Sequence, residues 1–316
     1  MLKNKKILVT GANGFVGSNL CHFLSNICDD VIAFVRKSTT HKLINLEDIK
    51  YKIKISYGDL RDFDTINNAL KDVDIVYHLG AQSHVPDSIR EPFTTFKVNA
   101  LGTLNCLEAA RINDVEYFIN AGSDKIYGDP LYWPIDEKHP IRPRSPYDAS
   151  KVAGESLCLA YYKTYGLKVF LPRFSNIYGP RQDSRKVIPN IISHLLRDEP
   201  PVIRSDGTPI RDYLFIDDAI KAYIRLIEYP SAIGEIINFG TGVGTSVRKL
   251  CETIIKISGK EIEPKILGIT SLGEIHKQVL DITKALNIIN WKPEVNLYEG
   301  LIKVWDWYIR NKDYIL

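Results

Sequence analysis

"VTGANGFVGSNL", residues 9–20, decides the fold. The apolar run "KILVTG" leads into it and an apolar helical pattern leads out, so Gly11, Gly14 and Gly17 stand between a strand and a helix. Each glycine has a physical task. Gly11 permits the tight turn, Gly14 lets the backbone approach a pyrophosphate, and Gly17 lets helix and strand pack closely. Three glycines at this spacing are weak evidence alone; in this setting they predict a dinucleotide-binding loop, with Asn13, Phe15 and Val16 completing it.

Outward from the loop, short β-branched runs alternate with helical patterns through "DVIAFV", "YKIKISYGD", "DIVYHLGA", "NALGTLNCLEAARIND" and "EYFINAGS". This alternation predicts βαβ crossovers and a doubly wound parallel sheet of the α/β class. The second half is punctuated by proline and ends in helices, which predicts a smaller mixed α/β C-terminal lobe on the sheet's carboxyl edge. We place the dinucleotide-binding domain at residues 1–172, with parts of 212–240 returning to it, and the substrate lobe mainly at 173–316.

The bulk numbers exclude several classes. At 316 residues the chain buries an ample core without staples. Five scattered cysteines without metal spacing predict a reduced, cytoplasmic setting. The first residues are too short in apolar run for a signal peptide, and no stretch reaches membrane-spanning length. With 41 basic and 38 acidic residues, net charge is +3 and no basic tract stands out. Nucleic acid is therefore not an expected partner, and no histidine pair has metal spacing.

The second strand ends in Arg36, Lys37 and Ser38, with no acid to meet a ribose 2′-hydroxyl. A cation there favours a 2′-phosphate, so NADP is expected, with NAD the alternative. Asp59 and Leu60 end the third strand and are expected at the adenine; Leu79, Gly80, Ala81 and Gln82 end the fourth beside the cofactor. In "SPYDASKVAGE", Tyr147 and Lys151 lie four apart at a helix start and so share one face. A lysine held there can lower the phenol's pKa and make it a base.

"TGANGFVG", "NALGT", "GSDKIYGD", "YDASK", "FSNIYGPR", "RDYLFIDD" and "INFGTG" occur in the order that resembles extended short-chain dehydrogenase/reductases of the nucleotide-sugar epimerase/dehydratase type. The likeness covers nearly the whole chain. It implies a Rossmann-type domain, a tightly held and recycled NAD(P), a nucleoside-diphosphate sugar as substrate, and a homodimer. It further implies that Ser123, Tyr147 and Lys151 act together and that Asn99 adjoins the cofactor. Substrate contacts are expected from Ser83, Ser123, Asn176, Val187, Arg204, Arg211 and Gln278, or its neighbour Lys277.

The family divides by the residues after the serine. A 4-epimerase only oxidises C4, turns the keto sugar and returns the hydride. A 4,6-dehydratase must also remove the C5 proton and help the C6 hydroxyl leave, which needs an acid and a base. Asp124 and Lys125 supply such a pair, and Asp-Lys resembles the variant in CDP-glucose 4,6-dehydratases. The expected activity is therefore nucleotide-sugar 4,6-dehydration. The alternatives are a 4-epimerase, a related 5,6-dehydratase or reductase, or a non-catalytic NAD(P)-sensing protein.

Overall fold

The computed structural model describes residues 2–37, 43–269 and 275–315. The first half runs β1 (Lys6–Thr10), α1 (Phe15–Leu24), β2 (Asp30–Val35), β3 (Lys54–Tyr57), α2 (Phe63–Ala69), β4 (Ile75–His78), α3 (Val85–Arg90), α4 (Pro92–Phe96), α5 (Gly102–Ile112), β5 (Tyr117–Asn120) and β6 (Gly122–Ser123). The second half runs α6 (Pro146–Tyr165), β7 (Val169–Phe174), β8 (Asn176–Tyr178), α7 (Val187–Leu196), β9 (Val202–Ile203), β10 (Ile210–Phe215), α8 (Ile216–Leu226), β11 (Ile236–Phe239), β12 (Gly244–Ser246), α9 (Val247–Ser258), β13 (Lys265–Ile266), β14 (Lys277–Gln278), α10 (Thr283–Ile289) and α11 (Leu297–Arg310).

The main sheet has the order β11-β7-β5-β4-β1-β2-β3, with β6 beside β7, and every pairing is parallel. This is the Rossmann-type doubly wound α/β arrangement. Its central strands β1, β2, β4, β5 and β7 are largely apolar on both faces because helices cover both. Ile7 and Val9 of β1 enter the core layer shared with α1 and α8, while Leu8 enters the opposite layer with α2, α5 and α6. Each such fully buried aliphatic contributes about 1.5–3 kcal/mol.

Strand order reverses between β1 and β4, where an α/β sheet opens a crevice at its carboxyl end. Gly11 turns there with φ +65°, and a Cβ on it would lie 2.7 Å from Gly80 Cα. A Cβ on Gly17 would lie 2.3 Å from the Gly11 carbonyl oxygen, so helix α1 sits directly on the turn.

A second, smaller sheet is built on β10, antiparallel to β12 and parallel to β14 and β8. The residue-172 boundary falls inside β7, which stays in the main sheet through Phe174 and pairs there with β11. Of the stretch 212–240, β11 returns to the main sheet, whereas β10 belongs to the small one.

Candidate active site

The glycine turn leaves α1 open at its start. Gly14 is the N-cap with no side-chain hydrogen bond to the helix and no acid in the first turn. The first amides of an uncapped helix carry partial positive charge, a fit for a dinucleotide pyrophosphate. Asn13 braces the turn from behind: its Oδ1 and carbonyl oxygen accept from Asn45 N (3.3 Å) and Nδ2 (3.0 Å). Arg36 and Lys37 are exposed beyond β2, and Ser38 lies outside the described residues. Asp59 is gripped by the Arg61 guanidinium (2.9 and 2.6 Å), which holds its carboxyl below the ordinary value.

A buried hydrogen-bond chain joins this crevice to the helix bearing Tyr147. Thr10 Oγ1 accepts from Leu79 N (3.1 Å) and Gly80 N (3.0 Å) and donates to His78 Nδ1 (3.0 Å). His78 Nε2–H donates to Thr103 Oγ1 (3.0 Å), whose hydroxyl donates to the Asn99 carbonyl (2.6 Å). That tautomer follows from the partners, and burial keeps the ring neutral by pushing His78 down to about 3. The Asn99 amide is fully engaged: Nδ2 donates to Gln82 O (3.0 Å) and Ser150 Oγ (2.8 Å), and Oδ1 accepts from Gln82 N (2.7 Å). Asn99 therefore shapes the crevice wall through Gln82, with no donor left over for a cofactor.

Helix α6 begins at a capping box, Ser145 Oγ accepting from Asp148 N while the Asp148 carboxylate accepts from Ser145 N. The Tyr147 amide is held by Ser88 Oγ (3.2 Å). Strand β6, at the carboxyl end of the sheet, presents Ser123 beside the Tyr147 phenol, where its hydroxyl favours the ionised form. Lys151 lies one turn along the same helix. Burial works against the lowering expected of the phenol. Burial dominates and pushes Tyr147 up to about 12, the neighbouring Ser123 hydroxyl only partly opposing it. Burial also pushes Lys151 down to about 8, which weakens it as a source of positive charge.

Ser123 caps the 3-10 turn Asp124–Tyr127 through a bond from Lys125 N (3.3 Å). Asp124 is buried; its Oδ1 lies 3.5 Å from both Ser123 Oγ and Lys125 Nζ, and its Oδ2 has no partner among the described residues. The Lys125 amine is held below its ordinary value, chiefly by burial and also by the Arg211 cation, against the pull of Asp124 and Asp148.

Gln278 departs from the substrate-facing position expected of it. It is 0% exposed, its Nε2 donating to the Asp124 carbonyl (2.9 Å) and its Oε1 accepting from Lys125 Nζ. Arg211 is half-buried on β10 beside it, whereas Arg204 is exposed after β9 and its side chain makes no hydrogen bond or ion pair among the described residues. Asn176 donates to Asp212 O (3.4 Å), and Val187 begins α7 partly exposed. Lys186, next to Val187, went unread in the sequence: it reaches the Ser83 carbonyl (3.4 Å), and burial lowers its amine. Also unread was the buried fork of Arg173 on Glu155 (2.8 and 2.6 Å), extended through Tyr127 to Asn238 (2.7 and 2.8 Å). It ties β7, α6 and β11 to the turn that carries Lys125.

Comparison with known proteins agrees with this geometry at the level of family. The chain is 37% identical over 313 residues to a Methanocaldococcus jannaschii protein provisionally named a UDP-glucose 4-epimerase, covering 96% of this chain and 99% of that one. It is 30% identical to the dTDP-glucose 4,6-dehydratase of Streptomyces antibioticus, covering 97% and 93%. The solved UDP-glucuronic acid 4-epimerase of Bacillus cereus, in complex with UDP-glucuronic acid and NAD, superimposes with a TM-score of 0.88 at 31% identity, covering 97% and 99%. Since residues 7–240 also match the family model itself, the chain belongs to the NAD dependent epimerase/dehydratase family.

Proposed function

We propose that this protein is a nucleotide-sugar 4,6-dehydratase, giving a 4-keto-6-deoxy sugar nucleotide. The observation that carries the reading is the Asp124–Lys125 pair, a buried carboxylate beside a half-buried amine, one residue from Ser123 and facing the Tyr147 helix. A 4-epimerase has no step that uses such a pair. An exposed ion pair of this kind contributes little; a buried carboxylate with one oxygen unpartnered among the described residues, as in Asp124, is costly to keep without a task.

When bound, the nicotinamide cofactor accepts a hydride from the substrate and returns it. Tyr147, in its ionised form, favoured by the Ser123 hydroxyl and by the Lys151 charge one helical turn away, takes the proton of the C4 hydroxyl as C4 becomes a ketone. The ketone acidifies C5, and Lys125, whose amine is weakened by burial, takes the C5 proton. Asp124, through its unpartnered Oδ2, hands a proton to the departing C6 hydroxyl. Arg211, Asn176, Ser83, Val187 and the Lys186 amine are set for the nucleoside diphosphate, a guanidinium being suited to that anion.

β2 ends without a carboxylate, on exposed Arg36 and Lys37, which supports NADP as the cofactor over the NAD carried by the solved relative. Apolar residues left exposed on α5 and α6, among them Ile112 and Tyr165, support a homodimer through those helices. All five cysteines are buried and free, in keeping with a reducing cytoplasm. No helix among the described residues is long and apolar enough to cross a membrane.

The second reading is a 4-epimerase, favoured by the name and identity of the Methanocaldococcus relative. One experiment separates them. The protein is incubated with GDP-mannose, CDP-glucose, dTDP-glucose, UDP-glucose and UDP-N-acetylglucosamine in deuterated water, and the products are weighed by mass spectrometry. Dehydration removes one water and leaves deuterium at C5; a product of unchanged mass sinks the dehydratase. Lys125→Met and Asp124→Asn are each expected to slow elimination by about a hundredfold or more.

A further inference from the structure

Gln278 reaches the acid/base turn from far along the chain. It comes from β14, 153 residues beyond Lys125. β14 is pinned on one side by β10, with Arg211 opposite Gln278, and the next residue is held by a bond from Ile135 N to the Val279 carbonyl (2.8 Å). The backbone at Gln278 therefore has little freedom, and its amide has one orientation. The Asp124 carbonyl can only accept, so it must face Nε2, and Oε1 must face the Lys125 ammonium or amine.

This arrangement bears on a conflict within the acid/base pair. Charge-assisted N–H···O bonds close to about 2.7–2.9 Å, yet Lys125 Nζ stays 3.5 Å from Asp124 Oδ1. The groups facing Lys125 are Asp124 from its own turn, Asp148 from α6 and Arg211 from β10, with Tyr147 beyond Asp124. Both carboxylates pull on the amine, and full collapse onto Asp124 would quench acid and base together. Gln278 is the neutral acceptor that competes with Asp124 for Nζ and adds no charge.

We infer that Gln278 is a positioning residue: it holds Lys125 Nζ off Asp124, so that the lysine faces C5 and Asp124 Oδ2 stays available for the C6 oxygen. The inference rests on the dehydratase reading. It also makes the acid/base turn depend on the C-terminal lobe, since β14 carries Gln278 into it.

The test uses full-length wild type, Gln278→Glu and Gln278→Met, with whichever of the five sugar nucleotides wild type converts. Single-turnover hydride transfer is tracked by the absorbance of reduced nicotinamide, and elimination by deuterium gained at C5. Gln278→Glu adds a carboxylate that keeps Lys125 protonated. Its ratio of elimination to hydride transfer is expected to fall about tenfold or more at neutral pH, and the rising limb of elimination against pH to move up by about one unit. Gln278→Met removes the acceptor and is expected to lower the same ratio as Lys125 closes on Asp124. An unmoved pH limb in Gln278→Glu, or equal losses of hydride transfer and elimination in both variants, overturns the inference while leaving the dehydratase reading intact. A wild type that places no deuterium at C5 overturns the dehydratase reading itself.

Discussion

Replacing Lys151 by methionine sets stability against chemistry, and the structure gives the size of the effect. In the folded chain burial lowers this amine from 10.5 to about 8, with Cys158 and Glu155 pulling weakly the other way. The difference, 10.5 minus 8, is 2.5 pH units, which converts to about 3 kcal/mol at about 1.36 kcal/mol per unit. The side chain keeps a partly exposed edge, and water returns some of this, so about 1–3 kcal/mol is expected.

The sign comes from linkage. Below about pH 8 the lysine is charged in both folded and unfolded chains, and the folded state carries the full penalty. As pH rises from about 8 toward 10.5, the folded chain has released a proton that the unfolded chain still holds, so wild-type stability climbs. Methionine, close in shape and uncharged, has no such penalty. Lys151→Met should therefore be about 1–3 kcal/mol more stable than wild type near neutral pH, with the advantage fading toward alkaline pH, and it should lose turnover. Urea denaturation of cofactor-free protein across that range, read by the fluorescence of its four tryptophans, measures the difference. A variant no more stable at neutral pH, or a gap that does not change with pH, refutes the reasoning.

Gly17→Ala would put a Cβ 2.3 Å from the Gly11 carbonyl oxygen; the helix must back off the turn, and calorimetric affinity for the dinucleotide should drop about tenfold to a hundredfold. Arg173→Met leaves the Glu155 carboxylate buried and unpaired, for an expected loss of about 3–5 kcal/mol in chemical denaturation. Adding Glu155→Leu should restore most of it, and a double variant as unstable as the single one would contradict the pairing argument. Arg36→Asp should turn the preference from NADP to NAD by about tenfold or more in binding titrations, and equal affinities before and after would remove Arg36 from the cofactor site.

What could be read from the sequence was local or periodic. Gly11, Gly14 and Gly17 act within one turn, so their order and their place between strand and helix suffice to predict the loop. The apolar runs of β1, β2 and β4 announce strands buried on both faces. Ser145 and Pro146 mark the start of α6, and helical spacing puts Tyr147 and Lys151 on one face. The nearness of Asp124 and Lys125 to Ser123 is a matter of adjacent residues. None of this required knowing how distant segments meet.

The tertiary structure decided the rest, because it depends on contacts between segments far apart in the chain. The phenol of Tyr147 is weakened as an acid by burial, a property of the packing around it that a four-residue spacing cannot express. Asn99 turned out to be occupied by Gln82 and Ser150, and Arg173 met Glu155 across the strand–helix layer. Most of all, Gln278 reads in the sequence only as a substrate contact implied by the family likeness. Only the pairing of β14 with β10 carries it under the Ser123 turn, where its amide reaches Lys125 and separates the base from its acid.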